Sequence, residues 1–110
     1  MEFVQQSQRF SAARRSLMLP HGDGEAAAIA SAMNACALGL RNLRRGLLDE
    51  HASRWLLELE ALLGTSAELA SANPDRARWL TRAAELDSTA QADFSRLVDE
   101  LAHWFERKSR

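Results

Sequence analysis

The sequence is poor in the residues that cross-link chains or build sheets. Its 110 residues include one cysteine, two prolines, five glycines and no tyrosine. A single thiol excludes an intrachain disulfide, and no cysteine cluster is present that could hold structural zinc. Isoleucine and valine, which strands prefer, occur only at Val4, Ile29 and Val98. These shortages favour a small all-α domain without covalent cross-links.

Charge of one sign does not dominate the chain. The formal net charge is −1 and 26% of residues are charged, so composition predicts no general attraction to nucleic acid or anionic lipid. The distribution is nevertheless uneven. Residues 1–48 hold six arginines against Glu2, Asp23 and Glu25, whereas residues 49–110 are acidic overall. We expect the two halves to attract each other.

Long apolar runs are also missing. Residues 26–40 carry no charge, but this run is shorter than the roughly 20 residues that span a bilayer. The beginning, MEFVQQSQRF, lacks the basic start and apolar stretch of a signal peptide. We therefore expect no membrane contact, and the lone thiol favours the cytoplasm. Thirteen arginines against one lysine, with abundant alanine, are typical of a GC-rich bacterial coding sequence.

What the chain does contain is alanine and leucine, which favour helices. Apolar residues recur at spacings of three and four, the helical period. This pattern predicts one domain, residues 1–110, with helices at about 2–17, 24–47, 50–72, 74–86 and 89–108. The expected fold is an antiparallel helical bundle of four main helices with up-down topology. Its last helix is either kinked or split in two at Asp87 and Ser88.

Local signals mark several helix boundaries. Pro20 ends the first helix, and Asp23 is a candidate N-cap for the second. Asp49 is a candidate N-cap for the third helix, which we expect to bend at Gly64. Asn73 and Pro74 have the order of an N-cap and a first helical residue. The segment 88–91, Ser-Thr-Ala-Gln, fits a capping box that opens the last helix.

The second predicted helix carries an apolar seam with heptad-like spacing, which is typical of a helix packed against other helices. Ala32, Gly39 and Gly46 form a neighbouring row of small residues that predicts a close helix approach. The seam is filled either within the chain or by a partner, and the tryptophans are either core residues or interface anchors. The predicted interface residues are Ile29, Met33, Cys36, Leu40, Leu43, Trp55 and Trp104.

Arg41, Arg44 and Arg45 form the most visible charge cluster. If the first two helices pair antiparallel, the arginines of the first helix, at 9, 14 and 15, could lie nearby and help to grip phosphates. The alternative, which we favour, is that arginines in the last turns of a helix complement its dipole.

Motifs for chemistry are weak. Glu100 and His103 have the Glu-x-x-His spacing of bundle metal sites, but a single match is common by chance. Cys36 lies within an apolar seam, where a thiol behaves as a small hydrophobic residue. The sequence also has no Gly-x-Ser-x-Gly elbow and no phosphate-binding glycine loop. We therefore predict no catalytic residues, no metal, no cofactor and no enzymatic activity.

These observations favour a non-enzymatic protein-interaction module. We expect a homodimer that acts as an adaptor, a chaperone-like protein or a regulator. A helical segment of another protein is a second expected partner. The alternative function is a nucleic-acid-associated regulator that uses the arginine patch of the first two helices.

Overall fold

A computed structural model describes residues 3–18, 25–40, 43–63 and 76–109. Within these residues the chain is helical and contains no strand, which confirms the all-α prediction. The described residues form five α-helices that pack together, and a short 3-10 turn, Arg45–Leu47, precedes the third. The helices are α1 (Val4–Met18), α2 (Glu25–Leu40), α3 (Glu50–Leu63), α4 (Arg76–Glu85) and α5 (Ser88–Ser109).

The first two helices pair antiparallel. Gly39, near the end of α2, faces the Phe10 ring of α1. At the other end of the pair, the hydroxyl oxygens of Ser16 and Ser31 lie 3.3 Å apart. The glycine allows this approach, because a Cβ at position 39 would lie 3.0 Å from the ring carbon Cε2 of Phe10.

Helix α5 packs antiparallel to both α1 and α3. The rings of Phe10 and Phe105 are 5.1 Å apart, and further along the pair Arg14 Nε lies 2.8 Å from Asp99 Oδ1. On α3, Glu58 lies 3.5 Å from Arg96 of α5. Helix α4 packs mainly on α2. The extensive pairs therefore place the helices in the spatial order α4, α2, α1, α5 and α3, which differs from their order in the chain.

A side chain of α4 also contacts the end of α3. Arg82 Nε donates a hydrogen bond to the carbonyl oxygen of Leu62 at 2.9 Å. The last carbonyl groups of a helix have no partner within it, so the arginine satisfies one of them. This contact joins the two outer helices of the spatial order.

One core contains residues of all five helices. It is centred on large side chains with no exposed surface, among them Phe10, Phe94, Phe105 and Met33. Helix α2 is buried around most of its circumference, which explains why its sequence from residue 26 to 40 carries no charge. Glu25 begins the helix and is its one charged residue.

The second helix ends earlier than its pattern predicts. It was expected to reach residue 47, but α2 ends at Leu40 and residues 45–47 form the 3-10 turn. Apolar spacing continues through Leu43 and Leu47 although the chain has left the helix. Gly46, which has low helix propensity, lies in the 3-10 turn, and Asp49 then caps α3 through the Ala52 N–H at 2.8 Å.

The predicted split between the last two helices is confirmed at residues 86–87, but the capping box is wrong. Asp87, rather than Ser88, is the N-cap of α5, because its Oδ1 accepts the Ala90 N–H at 2.8 Å. Gln91 reaches back to the carbonyl oxygen of Leu86 at 3.3 Å. Aspartate is as good an N-cap as serine, so the helix begins one residue earlier. The boundary signals at 20, 23, 64, 73 and 74 lie outside the described residues.

Candidate functional site

Most of the predicted interface residues lie in the core of this one chain. Leu43 and Trp55 are only partly buried at its edge. The seam of the second helix is therefore filled by the chain's own helices. The five buried members of the predicted set are Ile29, Met33, Cys36, Leu40 and Trp104.

Cys36 is enclosed by this core. Burial raises the pKa of its thiol well above the usual range, because the thiolate would have no water around it. A protonated thiol is a poor nucleophile and a poor metal ligand. The geometry therefore matches the interpretation of Cys36 as a small hydrophobic residue.

Trp104 is held by a carboxylate that is distant in sequence. Asp49 uses one oxygen to cap α3, and its other oxygen, Oδ2, accepts the Trp104 Nε1–H at 3.0 Å. The hydrogen bond from the Ala52 N–H and then the one from Trp104 lower the pKa of Asp49, and His51 and Lys108 add smaller favourable charge interactions. One carboxylate thus joins the start of α3 to the end of α5.

An aromatic cluster closes the same end of the bundle. The Phe3 ring lies 5.3 Å from the Trp104 ring and 5.4 Å from the Phe105 ring. Phe3 has a φ of 68°, a left-handed conformation that is uncommon outside glycine. Lys108 Nζ lies 5.7 Å from the centroid of the Trp104 ring. Trp104 of α5 thus contacts both Asp49, which precedes α3, and Phe3, which precedes α1.

The arginines are divided among different roles. Arg45 forms an ion pair with Glu60 of α3, and Arg14 is paired with Asp99. The antiparallel pairing places Arg9 beside Gly39, with its Cβ 3.1 Å from a Cβ built there, so Arg9 lies near the end of α2. Arg44 is exposed. Arg41 lies outside the described residues.

In the described part of the chain, four large apolar side chains are exposed. Their exposed fractions are 70% at Met18, 66% at Leu57, 51% at Leu47 and 40% at Val4. Two of them are close in sequence to the partners of one ion pair, because Leu47 belongs to the 3-10 turn of Arg45 and Leu57 lies three residues before Glu60 on α3. Sequence spacing missed this patch, since the Leu47 position reads as part of the buried seam.

The suggested metal ligands do not form a cluster. His103 Nε2 lies 3.7 Å from Asp99 Oδ1, and Glu100 is exposed. In the described part of the chain, no three His, Cys, Asp or Glu side chains are grouped so that they could hold a metal ion.

None of the described helices combines the length and apolar character needed to cross a membrane. Comparisons with family models, curated proteins and solved structures give no match to this chain.

Proposed function

We propose that this chain is a non-enzymatic helical protein-interaction module that forms a homodimer. The observation that carries the proposal is the exposure of Leu47 and Leu57, each close in sequence to one partner of the Arg45–Glu60 ion pair. Removing apolar surface from water stabilises a complex by about 25 cal/mol per Å² of buried apolar area. Exposed aliphatic side chains near a charged pair provide both the apolar and the polar contacts that an interface combines.

This surface replaces the seam of α2 as the proposed contact. The seam residues are already buried, so a partner could reach them only if the bundle opened. Helix α3, by contrast, has apolar side chains on its inner face, on one flank at Trp55 and Leu62, and on its outer side at Leu57. Its outer side is therefore the preferred place for a second copy.

The roles proposed for such a dimer are those of an adaptor, a chaperone-like protein or a regulator. A helical segment of another protein would fit the same apolar side of α3 and is the alternative partner. Bundle architecture alone does not separate these roles, so the partner has to be identified by experiment.

The test is the absolute mass in solution, measured by light scattering on a sizing column over a range of concentrations and salt. We expect a mass near twice the 12.2 kDa of one chain that does not change with salt. Leu57→Glu and Leu47→Glu should each give a monomer, because a buried carboxylate at an apolar contact is strongly unfavourable. Met18→Glu is the matched control, since Met18 is equally exposed but lies on α1.

A wild-type monomer at every concentration would refute the homodimer. A dimer that survives both leucine substitutions but dissociates in Met18→Glu would place the contact on α1 instead. Circular dichroism of each variant should match that of the wild type, because all three positions are exposed.

Two finer assignments belong to the same proposal. The antiparallel pairs α1–α2, α1–α5 and α3–α5 support an up-down bundle of four main helices, the last of which is split into α4 and α5. The cytoplasm of a bacterium is the proposed location, supported by the buried lone thiol and the arginine-rich composition.

A further inference from the structure

Helix α1 is basic and free of acid. Its residues, Val4–Met18, include three arginines and no Asp or Glu. Arg14 is neutralised by Asp99, but Arg9 and Arg15 are exposed, and neither has an ion-pair partner in the described part of the chain. Two positive charges on α1 are therefore exposed to water without an acidic partner among the described residues.

The neighbouring surface of α2 adds polar groups without adding charge. Between residues 26 and 40 this helix has no charged side chain, and Ser31 and Asn34 are exposed. Ser31 lies beside Ser16 of α1, so the two exposed surfaces are continuous. We define the basic face as the exposed polar side chains of this helix pair, namely Gln5, Gln8, Arg9, Arg15, Ser31 and Asn34.

We propose that the basic face binds the phosphate backbone of a double-stranded nucleic acid. Guanidinium groups and neutral Gln, Asn and Ser side chains are the groups that contact phosphates and sugars in such complexes. Arg9 and Arg15 are separated by six residues, which is about 9 Å along the helix axis and about 120° around it. The two guanidinium groups therefore leave α1 in different directions and would contact different phosphates.

The charge distribution supports this orientation. The acidic excess of the chain belongs to residues 49–110, which contain α3, α4 and α5, whereas the basic face belongs to α1 and α2. A polyanion is therefore attracted to one side of the molecule and repelled by other parts, although the net charge is only −1.

A duplex fits the face better than a lipid surface does. Helices that lie on membranes insert Trp, Phe or Leu side chains between the headgroups. The outer stripe of α1 contains Gln8, Ser11 and Arg15 between two apolar ends, Val4 and Met18, and has no Trp, Phe or Leu. Amides, a hydroxyl and guanidinium groups favour hydrogen bonding over insertion. This surface is separate from the proposed dimer contact on α3, so each proposal can fail alone.

The experiment measures the fluorescence anisotropy of a labelled DNA duplex of about 20 base pairs during titration with the full chain. Two to three phosphate contacts predict that affinity falls about 10- to 40-fold between about 50 and 200 mM NaCl. Arg9→Gln with Arg15→Gln should weaken binding about tenfold or more at the lower salt concentration.

The matched control is Arg54→Gln with Arg96→Gln, which removes the same number of charges from exposed pairs on α3 and α5. Its effect should stay under about threefold, because those arginines already have acidic partners. No binding by the wild type at the lower salt concentration would overturn the proposal. Equal weakening in both double variants would also overturn it, as would tighter binding to phosphatidylserine vesicles or to a polyglutamate peptide than to the duplex.

Discussion

At the scale of single residues, Asp49 joins two helices with one carboxylate. Asp49→Ala removes the cap of α3 and the acceptor of Trp104, and we expect it to lower the free energy of unfolding by about 2 kcal/mol. Asp49→Asn keeps a capping oxygen but lacks a second acceptor for the indole. Its expected cost is about 1 kcal/mol. Urea unfolding at neutral pH measures both variants.

Asn is as good an N-cap as Asp, so Asp49→Asn should lose only the hydrogen bond to Trp104. Equal losses of stability in Asp49→Ala and Asp49→Asn would contradict this expectation. A suitable control is Asp93→Asn, which changes an exposed carboxylate within α5. We expect that control to change stability by less than about 0.5 kcal/mol.

The same carboxylate predicts a dependence on pH. Its pKa is lower in the folded chain than in the unfolded chain, where it is about 3.9. The stabilisation is therefore fully present above the unfolded value and is lost as the pH falls through the folded value. Unfolding measured between about pH 5 and 3 should be less pH-dependent in Asp49→Asn than in the wild type. Identical profiles would show that Asp49 does not contribute.

Trp79 and Trp104 should respond differently to substitution by phenylalanine. The Trp79 Nε1–H is buried and has no hydrogen-bond partner in the described part of the chain. Trp79→Phe removes a donor that costs about 1–3 kcal/mol to desolvate, and this gain offsets the lost packing. We expect a net change within about 1 kcal/mol. Trp104→Phe breaks the bond to Asp49 and should cost about 2 kcal/mol.

Urea unfolding of the two phenylalanine variants tests this contrast. A larger loss in Trp79→Phe than in Trp104→Phe would mean that packing of the indole outweighs its unpaired N–H. The comparison is internally matched, because both tryptophans are almost fully buried.

At the scale of elements, the contact between α1 and α2 depends on Gly39. A Cβ there would lie 3.0 Å from Phe10 and 3.1 Å from the Arg9 Cβ, and Phe10 is fully buried. We expect Gly39→Ala to lower stability by about 1–3 kcal/mol, although alanine gains about 1 kcal/mol in helix propensity. Thermal unfolding followed by circular dichroism measures the change.

Gly46 is the matched control for this substitution. A Cβ at Gly46 would meet no atom within 4 Å, so Gly46→Ala should leave stability unchanged or raise it by up to about 1 kcal/mol. A stabilised Gly39→Ala variant would show that the two helices can separate slightly at no cost.

These two glycines also show what spacing can predict. The small-residue row correctly predicts a close approach at Gly39, but it extends the same period to Gly46, where the chain has left the helix. Periodicity reports which residues share a face only while the helix continues, and it contains no signal for where α2 ends. Local capping chemistry predicts Asp49 correctly, whereas its bond to Trp104 joins residues far apart in sequence and has no local signature.

The candidate site was harder to predict for a related reason. Core and interface residues are both apolar, so the spacing of Ile29, Met33, Cys36 and Leu40 describes either one. Burial separates the two, and it assigns all four residues to the core. The exposed side chains at Leu47 and Leu57 emerge only when the 3-10 turn is placed beside α3.

At the scale of the whole molecule, ion pairs link the basic and acidic halves of the chain. Arg14–Asp99 and Arg45–Glu60 each join a residue before position 49 to one after it. This agrees with the attraction expected from the charge distribution. Such partly exposed pairs contribute about 0–1 kcal/mol each. The shared apolar core therefore supplies most of the cohesion between the halves.

Because that core includes residues of all five helices, we expect the described helices to unfold together in one transition. Trp55, Trp79 and Trp104 lie on α3, α4 and α5, respectively. Midpoints in urea from tryptophan fluorescence and from far-ultraviolet circular dichroism should coincide, as two-state unfolding requires. The decisive variant is Trp55→Phe with Trp104→Phe, in which the fluorescence reports on α4 alone. A fluorescence midpoint below the dichroism midpoint in that variant would show that α4 detaches first and that its packing on α2 is not part of the cooperative unit.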